Sequence, residues 1–393
     1  MYKIDISGNE ELLKKHLEYS LKVFDIELEK HTNKTIDLTP CIKIVTFKAL
    51  RLKRKVPFIS KVTHDVEKQI LYTDFLNQNK KCRKKFIDDA FKERSYLFNK
   101  DKIAYFRFFM LKRIIISGIS ELEKNKKIFT DFFYNDLPTK IFLESILYKM
   151  YADFSASEGK NGWSARDFIE TLNIKVCPYC NMNYTHIYYK DNPKKLCTSL
   201  APVPLPKGTC RPDLDHFYPR GNDKFPILSM SIFNLIPSCL QCNRQIKHMV
   251  EMNQKYFIHP YSDTCIDDIL FFIRDVTKSP NPLDTLLGIN NDFEISVRKK
   301  DSVDNDDYDR ACRTLEFFHV IDLYDYRKDY IQKRYRREVV YSEEYLDTLT
   351  NAFPNLYFFN DYKIEKENET LGNETLGKIL NDLFTFKKNY LFH

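Results

Sequence analysis

Glycine is scarce in this chain, 9 of 393 residues. Loops that cradle phosphates bring bare backbone to the ligand, so neither a Walker loop nor a dinucleotide-binding fingerprint is present. ATPase activity, if the system needs it, has to come from a partner. Long apolar runs are missing too, and no stretch approaches the length of a membrane span. The first residues, Met1-Tyr2-Lys3-Ile4-Asp5, do not read as a signal peptide, so a cytoplasmic location without membrane association is the expectation. No internal repeat of domain size occurs. What remains is globular in composition: hydrophobic residues make up 43%, charged residues 30% and aromatics 15%. The length suits two or three domains with ample cores.

Charge is unevenly placed. Residues 41–100 hold 16 Lys or Arg against 6 Asp or Glu, a balance of +10, while the whole chain is only +7. Residues 301–350 hold 8 basic against 13 acidic residues. A polyanion therefore meets the N-terminal part first. Two clusters stand out there, Lys48 to Lys55 and Lys80 to Lys85. Within them Lys53, Arg54, Lys55, Lys84 and Lys85 are candidates for backbone-phosphate contact, which is salt-sensitive and indifferent to sequence.

The apolar pattern predicts a mainly helical α+β protein in three regions. Residues 1–160 form a basic helical region for nucleic acid or a partner, residues 161–275 a central domain, and residues 276–393 a helical C-terminal region. Leu12, Leu13, Leu17, Leu21 and Phe24 recur at close to a 3.6-residue period, which predicts a helix from Glu10 to Leu28. Further helices are expected over Phe86 to Asn99, Tyr105 to Lys124, Ile141 to Tyr151, Asp309 to Val320 and Tyr324 to Leu349. The Gly/Ser patch Ser155 to Ser164 reads as a boundary or exposed turn, and the Pro-rich stretch Ala201 to Pro212 as a loop. Glu369-Thr370-Leu371-Gly372-Asn373-Glu374-Thr375-Leu376-Gly377 is a short tandem duplication, read as a surface connection.

Chemistry concentrates in the central region. Of ten cysteines, four form two Cys-x-x-Cys pairs, Cys177 with Cys180 and Cys239 with Cys242. Four thiolates at this spacing make a closed, tetrahedral, structural zinc site. The other six read as packed thiols, and the whole usage fits a reducing compartment. Between the pairs lies Asp213-Leu214-Asp215-His216-Phe217-Tyr218-Pro219, followed by the turn Arg220 to Asp223. Residues 214–217 are expected to form a short strand with Asp215 and His216 on opposite faces. Ser238 is expected to N-cap a helix carrying Cys239, Cys242, Asn243, Ile246 and Lys247, with Asn243 able to point back to the strand. Strand, loop and helix pinned by zinc would make a ββα-metal finger. His259-Pro260-Tyr261 reads as a turn or a substrate contact, and Tyr218 as packing or a base-stacking ring.

The pattern Cys-x-x-Cys, Leu-Asp-His-x-x-Pro, Asn-Leu-x-x-x-Cys-x-x-Cys-Asn resembles the HNH endonucleases over residues 177–248. It looks most like bacterial anti-phage defence nucleases of the Septu type, which work with a partner ATPase. The resemblance implies that His216 is the general base, that Asp215 and Asn243 ligate a catalytic divalent ion, and that Asn234 holds the loop and orients the base. It implies that Cys177, Cys180, Cys239 and Cys242 hold structural zinc. Two departures stand out: Asn243 replaces the third signature His, and the customary Lys three residues later falls one position further on, at Lys247.

Elementary chemistry agrees with those roles. A neutral imidazole can take a proton from water near pH 7. One carboxylate and one amide oxygen suit hard Mg²⁺ or Mn²⁺. Arg220, Arg244 and Lys247 are candidate phosphate contacts. The expectation is thus a divalent-metal-dependent endonuclease, with DNA favoured because most of the resembled family acts there. It would serve in defence and be restrained by a partner or assembly, since unrestrained cutting would damage the host. Two alternatives stay open: an HNH nuclease that cleaves RNA or tRNA, and a catalytically idle, zinc-stabilised adaptor that binds nucleic acid.

Overall fold

Helices dominate, and strands occur only as short pairs. The computed structural model describes residues 3–6, 8–32, 99–156, 161–189, 209–220, 225–340, 343–353 and 375–386. The candidate contacts Lys53, Arg54, Lys55, Lys84 and Lys85 lie outside these residues, as do the helix expected from Phe86 and most of the 201–212 loop. Among the described residues, no helix is long and apolar enough to cross a membrane. Contacts divide the chain into two units. One comprises Ser7–Thr171 and His216–Leu235, the other Met1–Ile6, Leu172–Asp215 and Ile236–His393.

In the first of these units, α1 (Glu10–Thr32) starts where the Asn9 side chain accepts from the Leu12 amide at 3.1 Å. Its buried residues Leu12, His16, Tyr19, Val23, Phe24 and Leu28 follow the helical period. Asn99 caps α2 (Lys100–Tyr105), which runs through a π-helical turn at Phe106–Met110 into α3 (Leu111–Ile116). The helix expected to continue to Lys124 stops here. Ser117 turns extended (ψ 142°), its hydroxyl donates back to the Arg113 carbonyl, and Gly118 follows. A new helix, α4 (Leu122–Phe132), then begins. Phe106, Phe129 and Phe133 form a closed aromatic cluster with centroids 4.8–6.4 Å apart. Each such ring, fully buried, contributes on the order of 2–3 kcal/mol. Asp136 caps α5 (Leu137–Phe154), which buries Phe142, Leu143, Ile146, Leu147, Met150 and Phe154 and packs against α1. The last helix of this run is α6 (Ala165–Leu172).

The second unit carries the short strands. β1 (Tyr188–Tyr189) pairs antiparallel with β2 (Thr209–Cys210). β3 (Asp213–His216) and β4 (Leu235–Ser238) form another pair, and the division into units falls within both strands. β3 starts and ends one residue before the expected strand. After α7 (Ile266–Ile269), β5 (Leu270–Asp275) pairs antiparallel with β6 (Glu294–Lys299), from Leu270 opposite Lys299 to Asp275 opposite Glu294. Between them, α8 (Pro282–Leu286) ends at Gly288 (φ +76°), where a side chain would press on Arg336 at 2.9 Å, so glycine is required there. Then come α9 (Asn305–Phe317), α10 (Val320–Asp325), α11 (Lys328–Val340) and α12 (Glu343–Ala352). The single helix expected over Tyr324 to Leu349 is therefore broken after Asp325, where Tyr326 and Arg327 form a turn. Finally α13 (Gly377–Phe386) lies against β5, and the Asp382 carboxylate accepts the Phe272 amide at 2.8 Å.

Candidate functional site

The Cys177-Pro178-Tyr179-Cys180 segment closes into a knuckle. The Asn181 amide donates to the Cys177 carbonyl and the Cys177 amide to the Asn183 carbonyl, both at 2.8 Å. Asn181 adopts φ +51°, a left-handed conformation that Asn tolerates better than other side chains. The second pair behaves differently from expectation. Ser238 ends β4 with its hydroxyl buried and unpartnered among the described residues, so it caps nothing. The Cys239 sulfur takes that place, accepting the Cys242 amide at 3.4 Å and the Asn183 side-chain amide at 3.4 Å. The helix after it is π-helical over Gln241–Lys247 rather than α-helical.

Together the knuckle and this turn bring Cys177, Cys180, Cys239 and Cys242 into one buried group, with all four sulfurs within 4.8 Å of one another. Zinc at about 2.3 Å from each would draw them to roughly 3.8 Å, a small contraction. N–H donors aimed at a sulfur favour the thiolate, so the donor set fits a metal ion such as zinc. Without an ion the thiols titrate against one another. Hydrogen bonds from Cys177, Cys180 and Cys242 hold Cys239 far below its ordinary value, while burial first, then its neighbours, push Cys177 well above. Among the described residues, no second group of three or more Cys, His, Asp or Glu side chains of this kind occurs.

The carboxylates on β3 are placed by this scaffold. Asp215 is 3% exposed, and both oxygens are engaged: one accepts the Tyr179 hydroxyl at 2.6 Å, the other the Lys247 ammonium at 2.9 Å. Tyr179, inside the knuckle, is stacked on Phe318 at 4.3 Å. Asp213, two residues earlier and on the same side of the strand, accepts the Arg244 guanidinium through both oxygens at 2.7 Å and the Asn243 amide at 3.0 Å. Burial alone would raise the Asp213 carboxyl, but Arg244 and Asn243 together hold it below its usual value. Asn243 does point back to β3, as expected, but its bonded partner there is Asp213. Its amide nitrogen being engaged, the oxygen is the atom a hard cation would use. Asp215 has its positive charge supplied by the Lys247 ammonium. Lys247, expected as a phosphate contact, is fully buried, whereas Arg244 keeps a 67% exposed side chain.

In the other unit, His216 is 6% exposed and its Nε2 donates to the Ser229 carbonyl at 3.0 Å. A carbonyl only accepts, so in the neutral ring Nδ1 carries the lone pair. The Tyr151 ring meets the imidazole edge-on at 4.6 Å, and the Arg220 guanidinium lies over Tyr151 at 4.2 Å and Tyr148 at 4.7 Å. One Arg220 nitrogen, Nη1, is buried without a partner among the described residues. Asn234, wholly buried, accepts the Tyr218 amide at 2.8 Å and donates to the Tyr218 and Leu228 carbonyls at 3.1 and 3.0 Å. It thereby ties together both ends of the segment from Tyr218 to Leu228, next to the carbonyl that holds His216. Tyr218 is a packed residue: it is fully buried and donates to Glu123 at 2.8 Å. His259 also packs inside, at a turn, pushed down to about 3 by burial.

Sequence reasoning missed Tyr179, Asp213, Ser229 and Tyr151. Two had a signal: Tyr179 sits within the Cys-Pro-Tyr-Cys motif, and Asp213 is i−2 from Asp215. Ser229 acts through its backbone and left no signal in its side chain. No family model, no curated protein and no solved structure matches the chain.

Proposed function

We propose that this chain is a divalent-metal-dependent endonuclease of the HNH type, hydrolysing phosphodiester bonds in nucleic acid, DNA in the first place. The observation that carries the reading is the His216 imidazole, whose Nε2 donates to the Ser229 carbonyl, the tautomer in which Nδ1 bears the lone pair. The chain also carries the other residues the HNH resemblance asks for: Asn234 pinning the loop in the same unit, Asp215 one residue earlier in the strand, and a four-cysteine clip in the other unit. His216 would take the proton of the attacking water. Arg220, stacked on two tyrosines with a buried nitrogen to satisfy, would hold a phosphate oxygen near the base. Asp215 and Asn243 would hold Mg²⁺ or Mn²⁺, which when bound supplies charge neutralisation at the scissile phosphate and the leaving oxygen. The cysteines would hold zinc purely as a fold element. A place in anti-phage defence beside a partner ATPase follows from the resemblance alone.

One observation favours a second reading. Both oxygens of Asp215 are occupied by Tyr179 and Lys247, as they would be in a zinc-stabilised adaptor that binds nucleic acid without cutting it. Cleavage of supercoiled plasmid, single-stranded DNA and tRNA by purified protein separates the two. Wild type and His216→Ala are compared in Mg²⁺, in Mn²⁺ and without added divalent ion. Divalent-dependent cutting that falls at least about a hundredfold in a folded, zinc-loaded His216→Ala is the expected outcome. Cutting that survives the substitution removes His216 from the mechanism, and binding without cutting of any substrate favours the adaptor.

A further inference from the structure

Lys247 was expected to reach a phosphate, and its burial assigns it different work. Its side chain is 1% exposed, and its ammonium lies 2.9 Å from an Asp215 oxygen. The other partner of Asp215, Tyr179, is held by the knuckle on both sides and by the Phe318 stack. Lys247 stands at the last position of a π-helical turn. That turn closes at His248 with φ +45° and ψ −112°, a conformation strained for any residue with a side chain. An ammonium against a buried carboxylate supplies the positive charge that a divalent ion would otherwise supply.

We propose that Lys247 is a built-in cation that keeps Asp215 latent, and that a divalent ion gains the carboxylate only by displacing it. The proposal rests on the reading of Asp215 as the metal-holding carboxylate of a nuclease. The backbone offers a route for the displacement. A π turn advances about 82° per residue and an α-helix about 100°. Relaxation of residues 241–247 to an α-helix would swing Lys247 roughly 70° around the axis relative to Asn243, off Asp215, and release the strained close at His248. π-Helical turns are rare, short exceptions among helices and gather at functional positions.

The test is Mn²⁺ binding to the zinc-loaded protein in buffer free of other divalent ions, followed by titration calorimetry and by the paramagnetic resonance signal of free Mn²⁺. Asp215→Asn defines which binding belongs to this carboxylate. Lys247→Met is expected to bind Mn²⁺ at least tenfold more tightly than wild type, and to gain more in melting temperature from the ion. Lys247→Arg, which keeps the charge, is expected to bind as weakly as wild type. If Lys247→Met does not fold, Lys247→Gln takes its place with the same expectation. Equal or weaker binding in the uncharged variants, still abolished by Asp215→Asn, overturns the latch and leaves the metal reading standing. Absence of any Asp215-dependent Mn²⁺ binding, in every variant, overturns both.

Discussion

At the scale of single residues, two buried imidazoles hang from adjacent carbonyls: His216 from Ser229 and His16 from Met230 at 2.9 Å. His16 is wholly buried, accepts the Trp163 indole N–H at 3.4 Å, and is pushed down to about 4 by burial. Its folded-state value lies below the unfolded value of about 6.5, so the unfolded chain binds more protons in between. The contribution of this residue to stability is therefore complete above pH 6.5 and is lost as pH falls through that window toward 4. The loss from this one residue is on the order of 3 kcal/mol, about 2 of it by pH 5. Urea unfolding of zinc-loaded protein at pH 7.5 and pH 5 checks it: His16→Gln should lose less stability between the two than wild type, by about that 2 kcal/mol. An equal loss in both proteins would mean that His16 does not take up a proton on unfolding. Glycine scarcity also shows at this scale, since among the described residues positive φ is taken not only by Gly8, Gly162 and Gly288 but also by Asn173, Asn181, His248, His319 and Leu376.

Among the elements, the π turn at Gln241–Lys247 explains the misplaced lysine. In an α-helix the position three after Asn243 lies at about 300°, and the position four after it about 100° further on. In a π turn the fourth position lies within roughly 30° of that α-helical third position, so the extra residue is absorbed and Lys247 still faces β3. Deleting exposed Gln245 should accordingly give a plain α-helix with the lysine on the same side, one zinc per chain retained, and a melting temperature no lower than wild type. Loss of zinc, or a clearly lower melting temperature, would show that the π turn does more than set register. The cysteine spacing and the apolar period of α1 were legible because each reports a local rule. The breaks at Ser117 and Tyr326 were not, since hydrophobic period continues across them and only backbone geometry stops. The assignment of Asn243 to Asp213 rather than Asp215 depends on which of two carboxylates a guanidinium and an ammonium each claim, a choice made by packing. Ser238 fits a capping pattern, yet the neighbouring sulfur took the amide.

For the whole molecule, charge is the property that reaches furthest beyond any one contact. The +10 balance of residues 41–100 exceeds the chain's total of +7, so the rest of the chain sums to −3 and the cationic field is local to one segment. A nuclease that gripped its substrate there would hold backbone phosphate with little regard to sequence, leaving His216 and Arg220 to act on whatever strand is delivered. Lys53, Arg54, Lys55, Lys84 and Lys85 are the residues to change, to Gln, all five together. Each lysine or arginine that neutralises a phosphate on duplex DNA contributes about 0.9 to the slope of log affinity against log salt. If all five do so, the magnitude of that slope, measured by fluorescence anisotropy with a short duplex across a potassium chloride series, should fall by about 4 to 5. Weaker binding at one salt concentration alone would not distinguish phosphate contact from a damaged fold, whereas a shallower slope counts released ions. An unchanged slope would place the phosphate contacts elsewhere in the chain and give the basic segment to an acidic partner, whose binding should then show the salt dependence that DNA binding lacks.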